Sequence, residues 1–358
     1  MTELPAAMDK PSPPADLGIM EQDKRRQPLS GLLPGAEGAE FIAIPLHSLR
    51  ADTATGFDLY LHVARSNRYI LYRDANLVFE DRHRRTLIQS NVRYVYIPVD
   101  ARDQYVRYLE NHLSEVLAEP QVEVGEQSLI VYECGMQLMR DVMEKPWMAE
   151  NIGRVRNVVS HTVGLVLQGP EILGHLLNLM SLNYALYSHS VNVAVYGLAL
   201  AQRIGCSRRE LEQLGAGLLL HDIGKIQIPP EILHKPGPLT PDEWEVIREH
   251  PRLGVEVLRQ TSDLDWASLA IVLHHHERCN GTGYPQQLQA AQIHLFAKIA
   301  AIADTFDAMT SSQPHHPALD AFAAIQEMQY GLSGHFNTEL LRELILILGS
   351  GSAVATPA

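Results

Sequence analysis

The hydrophobic pattern changes character along the chain. Residues 1–36 are rich in Pro, Gly, Ala and charge and show no regular period, so they are predicted to be a disordered leader. Short β-prone runs then predict strands at 41–44, 59–63, 69–72 and 92–99. Tyr105, Leu109 and Leu113 follow at helical spacing, so helices are expected to cover one face of a short sheet. Residues 37–118 are therefore predicted to form a small α/β domain.

From about residue 125 the pattern is helical. One apolar stripe contains Ile152, Val155, Val159, Val163 and Val166. Residues 119–170 are predicted to be a helical connector, which either pairs with a second copy of itself or packs as an ordinary buried helix.

Further helices are expected at about 171–204 and 211–221, and the second should end tightly because Gly224 can adopt unusual φ values. The predicted class is α+β overall, with a small α/β N-terminal domain followed by an all-α domain at 171–346. Residues 347–358 are predicted to be a flexible tail.

Length and charge restrict the function. The 358 residues suffice for two hydrophobic cores, and the formal net charge of −13 argues against a nucleic-acid polymer or an anionic membrane as partner. An anionic substrate would need a local cationic site, which metal ions can supply. No long apolar window or secretion signal is visible, so no membrane insertion and a cytoplasmic location are expected. Three scattered cysteines suggest neither disulfides nor a thiolate zinc site.

Metal-type ligands recur through one stretch of about a hundred residues. They are His221, Asp222, His250, the run His274-His275-His276, and Asp304 in an Asp-x-Phe-Asp sequence. Adjacent residues of a helix project about 100° apart. His221 could therefore bind one ion while the two-oxygen carboxylate of Asp222 reaches a second. Any one histidine is more often a surface or core residue, but together they favour a multinuclear metal site.

Several motifs between 189 and 336 resemble the HD-GYP family, bacterial cyclic di-GMP phosphodiesterases of the HD metal-dependent phosphohydrolase superfamily. The motifs are His189, His221-Asp222-Ile223-Gly224-Lys225, Pro229-Pro230-Glu231-Ile232-Leu233, Lys235-Pro236-Gly237-Pro238-Leu239-Thr240, His250-Pro251, His275-His276-Glu277-Arg278 and Gly281-Thr282-Gly283-Tyr284-Pro285. The resemblance implies an HD-type helical catalytic domain. It does not extend to residues 1–124, where members of this family usually carry a sensor or regulator.

The resemblance also implies a ligand set and two bound divalent ions, with iron expected first and manganese second. One ion would be held by His189, His221, Asp222 and Asp304, and the other by His250, His275 and His276, with Asp222 bridging. The family spacing to Glu277-Arg278 leaves His274 out. Some members hold a third metal through a Glu four residues before the first ligand His. Ala185 occupies that position here, so two metals are expected.

The implied reaction is phosphodiester hydrolysis by a hydroxide shared between the two ions. Asp222 and Lys225 are the predicted catalytic residues. Lys225 is also expected to contact substrate, together with Gly283, Tyr284 and Pro285. The glycines would let backbone amides approach phosphate. Tyr284 would either meet a guanine or phosphate or serve as a packed anchor of the loop.

Two departures from the family concern the substrate. Asn280 replaces an Asp, and Gln313-Pro314-His315-His316 replaces Arg-Pro-Tyr-Arg, which removes guanidinium groups that can fork onto phosphate. The first prediction is an enzyme that converts cyclic di-GMP to pGpG, with further hydrolysis to GMP left open. The alternatives are a catalytically weak nucleotide sensor or scaffold, and an HD phosphohydrolase for another cyclic dinucleotide. The Gly-Tyr-Pro loop is a further expected contact for signalling proteins.

Overall fold

The computed structural model describes residues 40–63, 66–148, 150–180, 187–311 and 318–351. By its internal contacts the chain divides into two units, residues 1–108 and 109–358. None of the helices in the described ranges is both long and apolar enough to cross a membrane. The predicted α+β class is confirmed, because a small antiparallel sheet precedes a set of helices.

The first unit is built on a four-stranded sheet. Its strands and helices are β1 (Phe41–Pro45), β2 (Thr53–Ala54), β3 (Leu59–Val63), β4 (Arg68–Arg73), β5 (Val78–Phe79), α1 (Asp81–Gln89), β6 (Tyr94–Pro98) and α2 (Arg102–Asn111), which continues into the second unit. The sheet has the order β1-β6-β3-β4 and is antiparallel, with Phe41 opposite Pro98. The strands predicted at 41–44, 59–63, 69–72 and 92–99 correspond to β1, β3, β4 and β6.

The core of this unit follows the two-residue period of its strands. Ile42 and Ile44 in β1, and Val95 and Ile97 in β6, are at most 3% exposed, because alternate side chains of a strand point to the same face. The prediction missed the two-residue strands β2 and β5, which pair with each other. Such short strands carry no periodic signal.

The regular secondary structure in the described part of the second unit is helical, apart from one isolated β-bridge. Its helices are α3 (Leu113–Leu117), α4 (Val124–Glu144), α5 (Glu150–Val166), α6 (Pro170–Met180), α7 (Ser188–Arg203), α8 (Arg208–Leu220), α9 (Pro230–Leu233), α10 (Pro241–Arg248), α11 (His250–Thr261), α12 (Trp266–His274), α13 (Leu295–Thr310), α14 (Ala321–Gln326) and α15 (Thr338–Gly351). A 3₁₀ helix spans Ile223–Gln227 and a π-helix spans Glu327–Gly331.

Helices α7 and α8 lie at the centre of this unit. Helix α7 packs against α8 and α13, while α8 also packs against α12 and α5. Helix α8 begins with a capping box, in which Ser207 and Glu210 exchange side-chain and backbone hydrogen bonds. This cap fixes the start of the helix whose other end carries His221 and Asp222.

The prediction of one helix from about Glu171 to Ile204 is wrong. Helix α7 starts anew at Ser188, after a turn at Tyr187, and α6 is described as far as Met180. Apolar residues are dense on both sides of this boundary, so the hydrophobic period cannot mark it.

Candidate metal centre

Five helices bring the sequence-predicted ligands together. His189 lies in the first turn of α7, His221 and Asp222 follow α8, His250 begins α11, His275 and His276 follow α12, and Asp304 lies in α13. The side chains form two groups with the donor types of a metal site. One group is His189, His221 and Asp304, and the other is Asp222, His250, His275 and His276.

The carboxylate of Asp222 lies between the two groups. Its Oδ2 is 3.4 Å from His221 Nε2 and 3.8 Å from His189 Nε2. Its Oδ1 is 3.3 Å from His250 Nε2 and 3.8 Å from His275 Nε2. Each oxygen therefore faces a different group, which is the arrangement that a bridging ligand requires.

Three of the imidazoles are oriented by backbone carbonyls. The Nδ1 atoms of His221, His250 and His275 lie 2.7 to 3.0 Å from the carbonyl oxygens of residues 218, 247 and 272. A carbonyl only accepts, so each Nδ1 must carry the proton. The Nε2 atoms, which point into the site, are then left with lone pairs when the rings are neutral. This is the tautomer that a metal-binding histidine uses.

Unsatisfied polar atoms show that these residues fit a bound cation. The Nε2 atoms of His250 and His275 are only 3.2 Å apart, and two lone pairs at that distance repel. His221 Nε2 and Asp222 Oδ1 are buried with no hydrogen-bond partner among the described residues. Buried polar atoms normally have partners. Imidazole and carboxylate donors suit Fe, Mn or Zn, so the residues present fit such ions.

Burial and neighbouring charges shift the pKa values of three residues in the second group toward the protonation states that metal ligands use. Burial lowers the pKa of His275 well below its usual value, and it lowers the pKa of His276 to about 3. Burial alone would raise the pKa of Asp222, but Lys225 and the neighbouring imidazoles hold it well below its usual range. His275 and His276 are therefore neutral and the Asp222 carboxylate is charged at neutral pH.

In the first group, the His189 ring contacts two carboxylates. His189 Nε2 lies 3.2 Å from Asp304 Oδ1, and its Nδ1 lies 2.7 Å from Asp307 Oδ2. Burial disfavours a charged His189, but the two carboxylates outweigh burial and raise its pKa to about 10. Binding of a metal at Nε2 would have to displace the proton shared with Asp304.

Lys225 and Gly224 follow the His-Asp pair in the 3₁₀ helix. The Lys225 ammonium donates to Asp222 Oδ2 at 2.5 Å, so this lysine lies at the predicted centre. The reason proposed for Gly224 is wrong, since its φ is not positive. A Cβ at Gly224 would lie 1.9 Å from the carbonyl oxygen of His250 and 2.5 Å from the Gly254 nitrogen. Only glycine lets the 3₁₀ helix approach α11 this closely.

The Gly-Tyr-Pro loop is fixed by a buried acid, Glu277, which was noted in the sequence only as part of a motif. Glu277 is 1% exposed, and its two carboxylate oxygens accept hydrogen bonds from the backbone amides of Gln286 and Leu288 at 2.6 and 2.9 Å. A Cβ at Gly283 would lie 2.4 Å from the Glu277 Cα. The glycine is thus required by close packing, and Pro285 follows in a cis peptide bond.

Tyr284 contacts the ligand cluster directly. Its ring stacks on His276, with 4.7 Å between ring centroids, and the Arg248 guanidinium lies 5.7 Å from its centroid. These contacts favour Tyr284 as an anchor of the loop that also supports His276. His274 was predicted to lie outside the ligand set. Its ring contacts the Gln286 side chain rather than the ligand cluster.

Two residues behind the first group were not identified from the sequence. Asn192 donates to Asp307 Oδ1 at 2.9 Å and accepts from the Tyr132 hydroxyl at 2.9 Å. The Asp-x-Phe-Asp motif pointed to Asp307, but nothing in the sequence linked it to Tyr132. Other predicted positions lie outside the described residues, namely Ala185, Gln313, His315 and His316.

Comparisons with known proteins agree with this geometry. A family model described as HD domain matches residues 176–340. A cyclic di-GMP phosphodiesterase of Pseudomonas aeruginosa is 36% identical over 193 residues, which cover 54% of this chain and 46% of that protein. The 3'3'-cGAMP-specific phosphodiesterase 2 of Vibrio cholerae is 36% identical over 160 residues, 44% of this chain and 30% of that protein. The chain thus covers less than half the length of either relative.

A solved structure shares the fold. An HDG"Y"P protein from Bdellovibrio bacteriovorus superposes with a TM-score of 0.61 at 21% identity, over 86% of this chain and 99% of that one. The helical unit contains the matched HD domain, residues 176–340. It shares its His-Asp pair and its Gly-Tyr-Pro loop with the HD-GYP family.

Proposed function

We propose that this chain is a metal-dependent phosphodiesterase that opens cyclic di-GMP to pGpG and, in a second step, hydrolyses pGpG to GMP. The observation that carries the proposal is the position of Asp222, whose two oxygens face two separate groups of ligand-type residues. The names of the curated relatives, which include cyclic di-GMP phosphodiesterases, support the substrate class.

The residues that would hold two ions are those predicted from the sequence, and Asp222 would be shared between the ions. Iron is the preferred metal and manganese is the second choice. Such a pair supplies an activated water and neutralises charge on the phosphate. The protein's part is to exclude bulk water, since the ligands are mostly buried, and to fix four of the imidazoles through their Nδ1 atoms. Because Lys225 already contacts Asp222, its ammonium is placed to meet a phosphate oxygen at the same point.

The loop at Gly283, Tyr284 and Pro285 is proposed to form one wall of the substrate site. Glu277 holds its backbone, and the stacking of Tyr284 on His276 joins this wall to the ligands. Arg248 lies over the same tyrosine ring and is partly exposed. Arg248 therefore adds a guanidinium at this wall. The 313–316 stretch of this chain lacks the arginines that the family has there.

A second candidate substrate is another cyclic dinucleotide. A relative with the same 36% identity is named a 3'3'-cGAMP-specific phosphodiesterase, and the same hydrolytic chemistry would serve both substrates. The altered 313–316 stretch is the feature of this chain that favours a changed preference.

The test is chromatography of products from anaerobically purified, metal-loaded protein. Protein loaded with Fe²⁺ or Mn²⁺ is incubated with cyclic di-GMP or 3'3'-cGAMP. We expect pGpG from cyclic di-GMP, followed by GMP. A higher kcat/KM for 3'3'-cGAMP would transfer the assignment to the second candidate. Binding of either nucleotide without turnover would contradict an enzyme and support a sensor.

A further inference from the structure

A chain of three hydrogen bonds runs from α4 to the candidate metal centre. The Tyr132 hydroxyl donates to Asn192 Oδ1 at 2.9 Å, the Asn192 amide donates to Asp307 Oδ1 at 2.9 Å, and Asp307 Oδ2 lies 2.7 Å from His189 Nδ1. Tyr132, Asn192 and Asp307 are each at most 2% exposed. Bulk water therefore cannot replace any of these contacts.

His189 differs from three other imidazoles of the centre in the acceptor that its Nδ1 atom meets. The Nδ1 atoms of His221, His250 and His275 meet carbonyls three residues earlier in the chain. His189 is the second residue of α7, and its Nδ1 has a side-chain acceptor on another helix. Its acceptor is instead the Asp307 side chain on α13.

The direction of each hydrogen bond fixes the next group. A tyrosine hydroxyl that donates to Oδ1 of Asn192 turns the NH₂ of that amide toward Asp307. The Asp307 carboxylate can only accept, so His189 Nδ1 carries a proton and Nε2 is the atom presented to Asp304 and Asp222. Groups hydrogen-bonded to a metal-binding histidine in this way orient its ring and raise its affinity for metal.

The origin of the chain lies outside the family match. Tyr132 belongs to α4, whereas the HD domain match begins at residue 176. Helix α4 packs against α7, and a second contact joins them where the Arg140 guanidinium lies 5.8 Å from the Tyr187 ring, beside the start of α7. Helix α4, which supplies Tyr132, therefore packs beside the first turn of α7, which carries His189.

We propose that Tyr132 is a positioning residue of the metal centre, which acts through Asn192 and Asp307 to hold His189 in its metal-binding orientation. Helix α4 is then part of the functional unit, although it precedes the HD domain. The proposal rests on the proposed function, because it requires a metal at His189.

The test is a calorimetric titration of metal-free protein with Mn²⁺, comparing wild type, Tyr132→Phe and Asn192→Ser. Both variants should bind one of two Mn²⁺ equivalents about 3- to 10-fold more weakly. Removing a residue that supports a metal ligand typically weakens metal binding by about 10- to 100-fold, so the expected loss lies at or below the lower end of that range. The other equivalent should change less than about twofold. The double variant should lose less than the sum of the two single losses, because both act on one chain of contacts.

Tyr105→Phe is the matched control. Tyr105 is also fully buried and also donates its hydroxyl to a side chain, Ser48 at 2.7 Å, but in the first unit. The visible absorption of Co²⁺-loaded protein reports on ligand geometry and should change in Tyr132→Phe and stay unchanged in Tyr105→Phe.

Three outcomes would overturn the positioning role. They are unchanged Mn²⁺ affinity in both variants, equal weakening of both equivalents, and an unchanged Co²⁺ spectrum in Tyr132→Phe. Each of these requires that wild type binds Mn²⁺. Wild-type protein that binds no Mn²⁺ would instead contradict the proposed function itself.

Discussion

The helical unit contains two buried clusters of charged and titratable side chains, and they differ in how their charges are balanced. In the first, Arg154 donates two hydrogen bonds to the Glu110 carboxylate at 2.7 and 2.8 Å and a third to Asp141 at 2.8 Å. These contacts, led by the hydrogen bond to Glu110, raise the pKa of Arg154. Gln137 donates to the other Asp141 oxygen, so this cluster is complete within the protein.

The second cluster is the candidate metal centre. Buried Asp222 and Asp304 are surrounded by imidazoles, His221 Nε2 and Asp222 Oδ1 lack partners among the described residues, and two Nε2 atoms face each other. Buried ions whose polar atoms already have hydrogen-bond partners form a structural cluster. A cluster whose atoms stay unsatisfied is suited to a ligand from solution. The contrast separates a structural role from a binding role within one unit.

The largest expected effect comes from removing the bridge. We expect Asp222→Ala to reduce turnover to background and metal content to below one ion per chain, because two cations would face each other without their shared anion. Elemental analysis and product chromatography measure the two effects. The control is Asp242→Ala, an exposed acid of α10. Full metal content and activity in Asp222→Ala would show that the site is wrongly assigned.

Removing the cation of the Arg154 cluster should lower stability and leave metal binding unchanged. Arg154→Met leaves Glu110 and Asp141 without their cation and should lower the free energy of unfolding by about 3–5 kcal/mol, with metal stoichiometry unchanged in the folded protein. Urea denaturation measures the loss. Arg156→Met is the control, because its partner Asp263 is 77% exposed and such pairs contribute at most about 1 kcal/mol. Equal losses in the two variants would remove the distinction between the clusters.

Lys225 separates catalysis from metal binding. We expect Lys225→Ala to lower kcat/KM about 10- to 100-fold, the equivalent of one charged hydrogen bond, while metal content stays near that of wild type. Lys145→Ala, an exposed lysine at the end of α4, should leave both values unchanged. Loss of metal in Lys225→Ala would mean that the lysine serves the ligands rather than the substrate.

The smallest effect is expected outside the described residues. Gln313→Arg together with His316→Arg should lower KM for cyclic di-GMP by about tenfold or more, because forked guanidinium contacts to phosphate are strong. Metal content should not change, since neither residue is a proposed ligand. A KM that stays the same or rises would indicate that this stretch does not face the substrate.

The sequence identified the ligand-type residues of the two groups better than it identified the residues that support them. His221 and Asp222 were found because adjacent donors form a local motif, and the family spacing separated His275 and His276 from His274. The contact between Tyr132 and Asn192 joins residues 60 positions apart, and a single sequence gives no signal for such pairs. The close packing at Gly224 was missed for the same reason, since it depends on a distant helix.

The most direct test of the central claim is the metal stoichiometry of protein purified without oxygen, measured by elemental analysis. We expect two ions per chain in wild type, fewer than one in Asp222→Ala, and two in folded Arg154→Met. Wild-type protein that binds no ion would contradict the assignment of the second cluster as a metal centre. A reproducible value near three would contradict the two-metal site predicted from Ala185.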